Sequence, residues 1–271
     1  MTHTPLTPAR VRTHTLTAFK EQGRKISMLT SYDSFTARIF QDAGIDVLLV
    51  GDSVGTTVLG YDSTVFTRHE DVVLFTGAVA RATTRPLILA DMAFGTYQSG
   101  PRDAVLHGVE LIRAGAHAVK LEGGRDILPQ VKALVEAGIP VCGHLGFTPQ
   151  SVHQLGGHKV QGRDHVLADH MADDALALQE AGAFAIVLEM VPAQLADRIT
   201  QVATVPTIGI GAGVHCDGQV LVWQDMAGLS DFEGKFVQRF ANLRDDLGRA
   251  ASDYRSAVEA ASFPRAEHSF E

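Results

Sequence analysis

Four times along the chain an amphipathic stretch stops at Ala-Gly and gives way to a short apolar run: QDAGIDVLLVGD, IRAGAHAVKLEGG, VEAGIPVCGHLG and QEAGAFAIVLEMVP. The glycine of each unit, at positions 44, 115, 138 and 182, can take the left-handed conformation that ends a helix. The run behind it is short, β-rich and apolar at successive positions, which suits a strand buried on both faces. Helix followed by doubly buried strand, repeated, demands a parallel sheet.

Apolar runs without the Ala-Gly prefix bring the strands to eight, at 25–31, 47–51, 86–91, 118–122, 140–145, 185–190, 206–210 and 218–223. Eight favours a (β/α)8 TIM barrel over an open sheet. Helices are expected at 34–43, 69–82, 102–114, 127–137, 168–181 and 193–201, with a further helical region over 232–260. Only AGVHCDG separates the last two strands, so the seventh helix should be very short, a single turn. No Pro-, Gly- or Ser-rich linker divides the chain, and 271 residues at 45% hydrophobic content can fill one barrel core. The expectation is a single barrel domain over residues 1–271, with residues 1–14 a loose N-terminal arm.

Charge and cysteine usage narrow the function. A net charge of -8 with scattered Lys and Arg argues against nucleic acid, which needs a basic face. Cys142 and Cys216 are the only cysteines, too few for a disulfide framework or a cysteine-built zinc site, and they suit a reducing cytoplasm. No run approaches the eighteen or so apolar residues of a membrane span, and the N-terminus lacks the apolar core of a secretory signal. A small-molecule ligand handled in the cytoplasm is the resulting expectation.

In such barrels reactive groups sit at the carboxyl ends of the strands. There this sequence places Asp52 and Ser53, Asp91, Lys120 and Glu122, His144, and Glu189. Lys120 and Glu122 are two apart and share a face, as do Cys142 and His144, so these polar groups enter the barrel and need partners. A lone aspartate after a strand, such as Asp52, is more often a helix cap or turn residue, and Lys120 could serve only as a structural ion pair. Five strand ends converging on one mouth favour a site. Asp52, Asp91 and Glu122 together would make an all-oxygen site for a hard divalent ion, most simply Mg²⁺, whose charge would offset their repulsion. GIGAG at 209–213 reads equally as an anion-binding nest or as a close backbone approach. The other histidines read as surface or loop positions.

Longer stretches add a resemblance. MLTSYD, VGDSVG, LGYDSTVFT, LILADMAFGTY, VKLEGG, VCGHLGFTPQSVHQLGG, KVQGR, VLEMVP, IGIGAG, DGQVLV and EHSF closely resemble the ketopantoate hydroxymethyltransferase family, in order and without large gaps from about residue 15 onward. The resemblance implies a barrel of the phosphoenolpyruvate/pyruvate superfamily. It implies transfer of a one-carbon unit from 5,10-methylenetetrahydrofolate to 3-methyl-2-oxobutanoate, giving 2-dehydropantoate through a Mg²⁺-stabilised enolate, a step of pantothenate biosynthesis. By motif, Asp52 and Asp91 would bind Mg²⁺, with Glu122 the third acid, directly or through water. Ser53 and Lys120 would hydrogen-bond the oxo acid, Glu189 would accept the proton, and His144 would support the site. The family also implies a large homo-oligomer, a decamer. The chain departs from the family pattern at VHCDG and at LVWQDMAG, where Gln224 replaces a histidine; both segments are expected near the rim of the site.

Overall fold

The computed structural model describes residues 9–270. Eight parallel strands close a barrel in sequence order: β1 (Ile26–Thr30), β2 (Val47–Val50), β3 (Leu87–Asp91), β4 (Ala118–Glu122), β5 (Val141–Gly146), β6 (Ala185–Glu189), β7 (Thr207–Ile210) and β8 (Gly218–Leu221). Each strand pairs with its neighbours and β8 returns to β1, with Ile26 opposite Gly218. The four Ala-Gly glycines have φ of 84, 115, 82 and 100°, the helix-ending conformation the repeated unit requires. The barrel helices run over Ser34–Asp42, His69–Ala82, Pro101–Ala114, Leu128–Glu136, His165–Glu180 and Ala193–Val202. Asp33 and Asp164 start two of them by accepting hydrogen bonds from first-turn N–H groups. Residues 211–217, between β7 and β8, form a turn with no helix, the limit of the shortening expected there.

Alternation along the strands fills the barrel. Ile26, Met28, Val47, Leu49, Leu87, Leu89, Ala118, Cys142, Ala185, Val187, Ile208 and Val220 form one buried cluster. Val11 and Leu16 belong to the same cluster, which revises the expected N-terminal arm. Residues 1–8 of that arm lie outside the described residues. Residues 9–14 are packed: Val11 is buried, its N–H donates to Arg85 O, and a helix over Thr13–Glu21 begins. Lys20 Nζ reaches Thr200 O and Asp217 at the start of β8, so this helix lies across the amino-terminal ends of the strands, the base of the barrel.

Polar pairs at that base are complete. Asp46 accepts from Arg24, Arg85, and the Ser27 N–H and hydroxyl. Asp217 takes Lys20 together with the Thr207 N–H and hydroxyl. VHCDG therefore ends at the base rather than the rim, because seven residues carry the chain the length of the barrel. His117, in the loop before β4 and so at a loop position as expected, is tied into the base as well: Nδ1 accepts the Ile88 N–H and Nε2 faces Arg10.

The described chain forms two compact units, the barrel through Val222 and a second from Trp223 onward, so the barrel spans less than the whole-length domain expected. In the second unit a short helix, Trp223–Met226, precedes a 17-residue helix, Leu243–Glu259. Residues 232–242 are not helical, and Phe232 and Phe240 remain exposed. The long helix buries none of its residues in this chain; Leu243, Leu247, Tyr254 and Val258 form an exposed stripe on one face.

Candidate active site

The alternation that fills the lower barrel with aliphatic side chains turns ionisable in the last layer. Leu87 and Leu89 give way to Asp91, Ala118 to Lys120 and Glu122, Cys142 to His144, and Ala185 and Val187 to Glu189. Register places them side by side: Asp91 opposite Lys120, and Glu122 opposite His144. All five sequence-expected strand-end groups on β3 to β6 meet at the carboxyl end of the barrel, with Asp52 and Ser53 in the turn after β2. Gly51 makes that turn possible, since a Cβ there would lie 2.7 Å from Ser53 Oγ and 3.4 Å from Asp91 Oδ2.

Asp91 Oδ2 accepts the Asp52 N–H at 2.9 Å, and its Oδ1 lies 2.9 Å from Lys120 Nζ. That contact is a buried ion pair. Lys120 Nζ is also 3.2 Å from His144 Nδ1. His144 stands between two acids, Nδ1 3.5 Å from Glu122 Oε1 and Nε2 3.3 Å from Glu189 Oε2. Asp52 does not cap the helix that follows. It sits in the turn, as a residue after a strand often does, but its Oδ2 accepts from Gln150 Nε2 at 2.9 Å, so its side chain belongs to the site and not to a helix cap.

Crowding sets the protonation of this layer. Burial, then the charges of Asp91 and Glu122, raise the Asp52 pKa well above the ordinary carboxylate value. Burial is the largest single influence on Glu122 and opposes its ionisation, but the bond and charge of His144, the charge of Lys120 and the Gln150 N–H together outweigh it and lower the pKa. For Lys120 burial is outweighed by Asp91, Glu122 and Asp52, which hold it as an ammonium. Burial and Lys120 push His144 down, while Glu122 and Glu189 more than offset them and raise it to about 9. Four carboxyl groups thus face two cationic side chains, and the raised pKa of Asp52 reflects that crowding.

That surplus, and the oxygen-rich donor set, fit a hard divalent cation. Among the described residues no group of three or more His, Cys, Asp or Glu side chains is arranged as a metal cage. Glu122 is why the expected third acid does not join directly: Oε2 accepts the Gln150 N–H and Oε1 faces His144. Two carboxylates are sufficient for Mg²⁺, which commonly completes its octahedron with water and substrate.

Three polar residues of the site lie outside the strand alternation. Tyr32, pushed up to about 12 by burial and so a neutral phenol, lies 2.7 Å from Ser53 Oγ. Tyr97 and Gln150 sit in the connections after β3 and β5, where no periodicity marks a residue as inward-facing. Past Glu189 the backbone turns sharply at Met190, whose φ of 48° is rare for a side-chain-bearing residue. Three hydrogen bonds hold this turn, from Met190 N–H to Ile210 O, from Gln161 N–H to Met190 O and from Phe147 N–H to Glu189 O. GIGAG reads as close approach, for a Cβ on Gly209 would stand 3.0 Å from Cys216 Sγ.

Known proteins agree with this architecture. Phosphonopyruvate hydrolase in complex with oxalate and Mg²⁺ superposes with a TM-score of 0.59 at 15% identity, over 94% of this chain and 92% of that one. A 2,3-dimethylmalate lyase of the PEP mutase/isocitrate lyase superfamily gives 0.55 at 16%, over 93% and 88%. These are likenesses of fold. In sequence, the 3-methyl-2-oxobutanoate hydroxymethyltransferase of Acidothermus cellulolyticus is 54% identical over 97% of each chain. That of Thermobifida fusca is 53% identical over 96% of this chain and 94% of its own. The family model described as ketopantoate hydroxymethyltransferase matches residues 10–266, nearly the whole chain, and this protein is a member of that enzyme family.

Proposed function

We propose that this enzyme moves a one-carbon unit from 5,10-methylenetetrahydrofolate to 3-methyl-2-oxobutanoate, with a water molecule supplying the hydroxyl oxygen, and releases 2-dehydropantoate and tetrahydrofolate, with Mg²⁺ as cofactor. Asp52 and Asp91 would hold the ion, with Glu122 acting through water. Bound there, it would polarise the oxo acid and acidify the hydrogen beside the carbonyl. Ser53 and Lys120 hydrogen-bond the same acid, and the Lys120 ammonium meets the negative charge that develops as the proton leaves. Glu189 Oε takes that proton from C3. His144, facing Glu189 through Nε2, orients the accepting carboxylate.

The observation that carries this reading is the meeting of Asp52, Asp91 and Lys120 within one buried layer, with Glu189 on a separate strand and free of that ion pair. The test is exchange of the C3 hydrogen of 3-methyl-2-oxobutanoate in deuterated water, followed by NMR, with and without tetrahydrofolate and formaldehyde. Mg²⁺-dependent exchange that disappears in Glu189→Ala, and hydroxymethylated product only with the one-carbon donor, are expected. Carbon–carbon cleavage without that donor would instead favour a lyase of the same superfamily. A Schiff-base route through Lys120 is disfavoured because its neighbours keep the amine protonated; borohydride should trap no adduct.

The exposed stripe of Leu243, Leu247, Tyr254 and Val258 supports assembly as a homo-oligomer, a decamer on family resemblance. Light scattering should return a multiple of the chain mass. Two free, buried cysteines are in keeping with cytoplasmic residence, and no helix among the described residues is long and apolar enough to cross a membrane.

A further inference from the structure

We propose that Gln150 is a positioning residue for the cation site, using its side-chain amide to orient Asp52 and its backbone N–H to orient Glu122. This rests on the reading of Asp52 and Asp91 as the cation's ligands. Gln150 is buried in the single-turn helix Pro149–Ser151 after β5, and all four hydrogen-bonding positions of its amide are used. Nε2 donates to Asp52 Oδ2 at 2.9 Å and to Met92 O at 3.0 Å. Oε1 accepts from the Tyr97 hydroxyl at 2.7 Å and from Gln98 Nε2 at 3.2 Å. The backbone N–H donates to Glu122 Oε2 at 2.9 Å.

Tyr97 decides which way the amide faces. Its hydroxyl accepts the Glu122 N–H at 3.2 Å and has one proton to give, which goes to Gln150 Oε1 as the shorter of its two acceptors. Burial raises the phenol pKa, so that proton stays in place. With oxygen turned to Tyr97 and Met92 O demanding a donor, the NH₂ group must face Asp52. The result is a closed circuit from the Glu122 backbone through Tyr97 and Gln150 back to the Glu122 carboxylate, with Asp52 attached by one oxygen. Donation to Oδ2 fixes the plane of the Asp52 carboxyl group, leaving Oδ1 to the cation. Glu122, held by the same residue, keeps a set distance from the pair.

Partners of this kind set metal affinity without touching metal, and their loss typically weakens binding about 10–100-fold. The experiment is calorimetric titration of metal-free enzyme with Mg²⁺, for the parent, Gln150→Ala and Tyr97→Phe, with melting curves recorded without metal. Gln150→Ala should bind Mg²⁺ about 10–100-fold more weakly, and Tyr97→Phe more weakly by a smaller factor of the same sign. Turnover of Gln150→Ala should return toward the parental rate as Mg²⁺ is raised, a rescue that a general loss of packing would not give. Unchanged Mg²⁺ affinity in Gln150→Ala, or turnover that saturating Mg²⁺ leaves depressed, overturns the proposal. Should Gln150→Ala fail to fold, parental affinity in Tyr97→Phe does the same. A parent that binds no Mg²⁺ would overturn the metal reading, and the proposal with it.

Discussion

The two ends of the barrel both bury charge, and they treat it in opposite ways. At the base each acid has more than one donor: Asp46 has two arginines and a serine, and Asp217 has a lysine and a threonine. At the mouth four carboxyl groups, those of Asp52, Asp91, Glu122 and Glu189, share two cations, Lys120 and His144. Charge at the base serves the fold, and charge at the mouth is left short of a counter-ion. Acids that outnumber their cations at the strand ends of a barrel, one of them with a pKa raised by its crowding, make the kind of cluster that functional sites use.

Substitution should separate the two ends. The largest effect is expected at Glu189: Glu189→Ala should reduce turnover about 10²- to 10⁴-fold with little change in melting temperature. If its melting temperature fell as far as that of a base mutant, the contrast between the ends would collapse. Asp46→Asn should do the reverse, costing about 1–3 kcal/mol of stability by removing the buried charge that Arg85 and the half-exposed Arg24 share, while turnover per folded molecule stays parental. Denaturant unfolding monitored by circular dichroism would measure it.

Asp52→Asn should stabilise the metal-free protein by about 1–2 kcal/mol, because it removes a repelled carboxylate yet still accepts from Gln150, and it should abolish Mg²⁺ uptake. A fall in stability there would mean the mouth is built like the base. The smallest effect is expected at His117, which burial, with Arg10 and Arg12, holds down at about 4. The unfolded ring protonates near its ordinary 6.5, so the folded state keeps its full margin above that pH and loses it as pH falls toward 4. His117→Asn, whose side-chain oxygen can replace Nδ1 opposite the Ile88 N–H, should flatten that acid limb in melting curves taken across the range.

Much of this contrast can be read from sequence at the mouth and little of it at the base. Asp91, Lys120, Glu122, His144 and Glu189 stand at strand ends, where a two-residue period tells inward from outward, and the Ala-Gly stops locate the strands. Gln150 and Tyr97 were illegible because they lie in connections without periodicity, and their importance comes from what they bond to. The Thr13–Glu21 helix was missed for another reason. It is short, opens with threonines and a histidine, and owes its stability to Val11 and Leu16 entering the barrel, a tertiary contact with no local signature. Asp46 and Asp217 carry no sequence signal of their own, because Arg24, Arg85 and Lys20 meet them only in the folded chain.

With Val11 and Leu16 stoppering the lower end, the barrel is a cul-de-sac. Whatever reaches Lys120 has to come in through the loops above and leave by the same door.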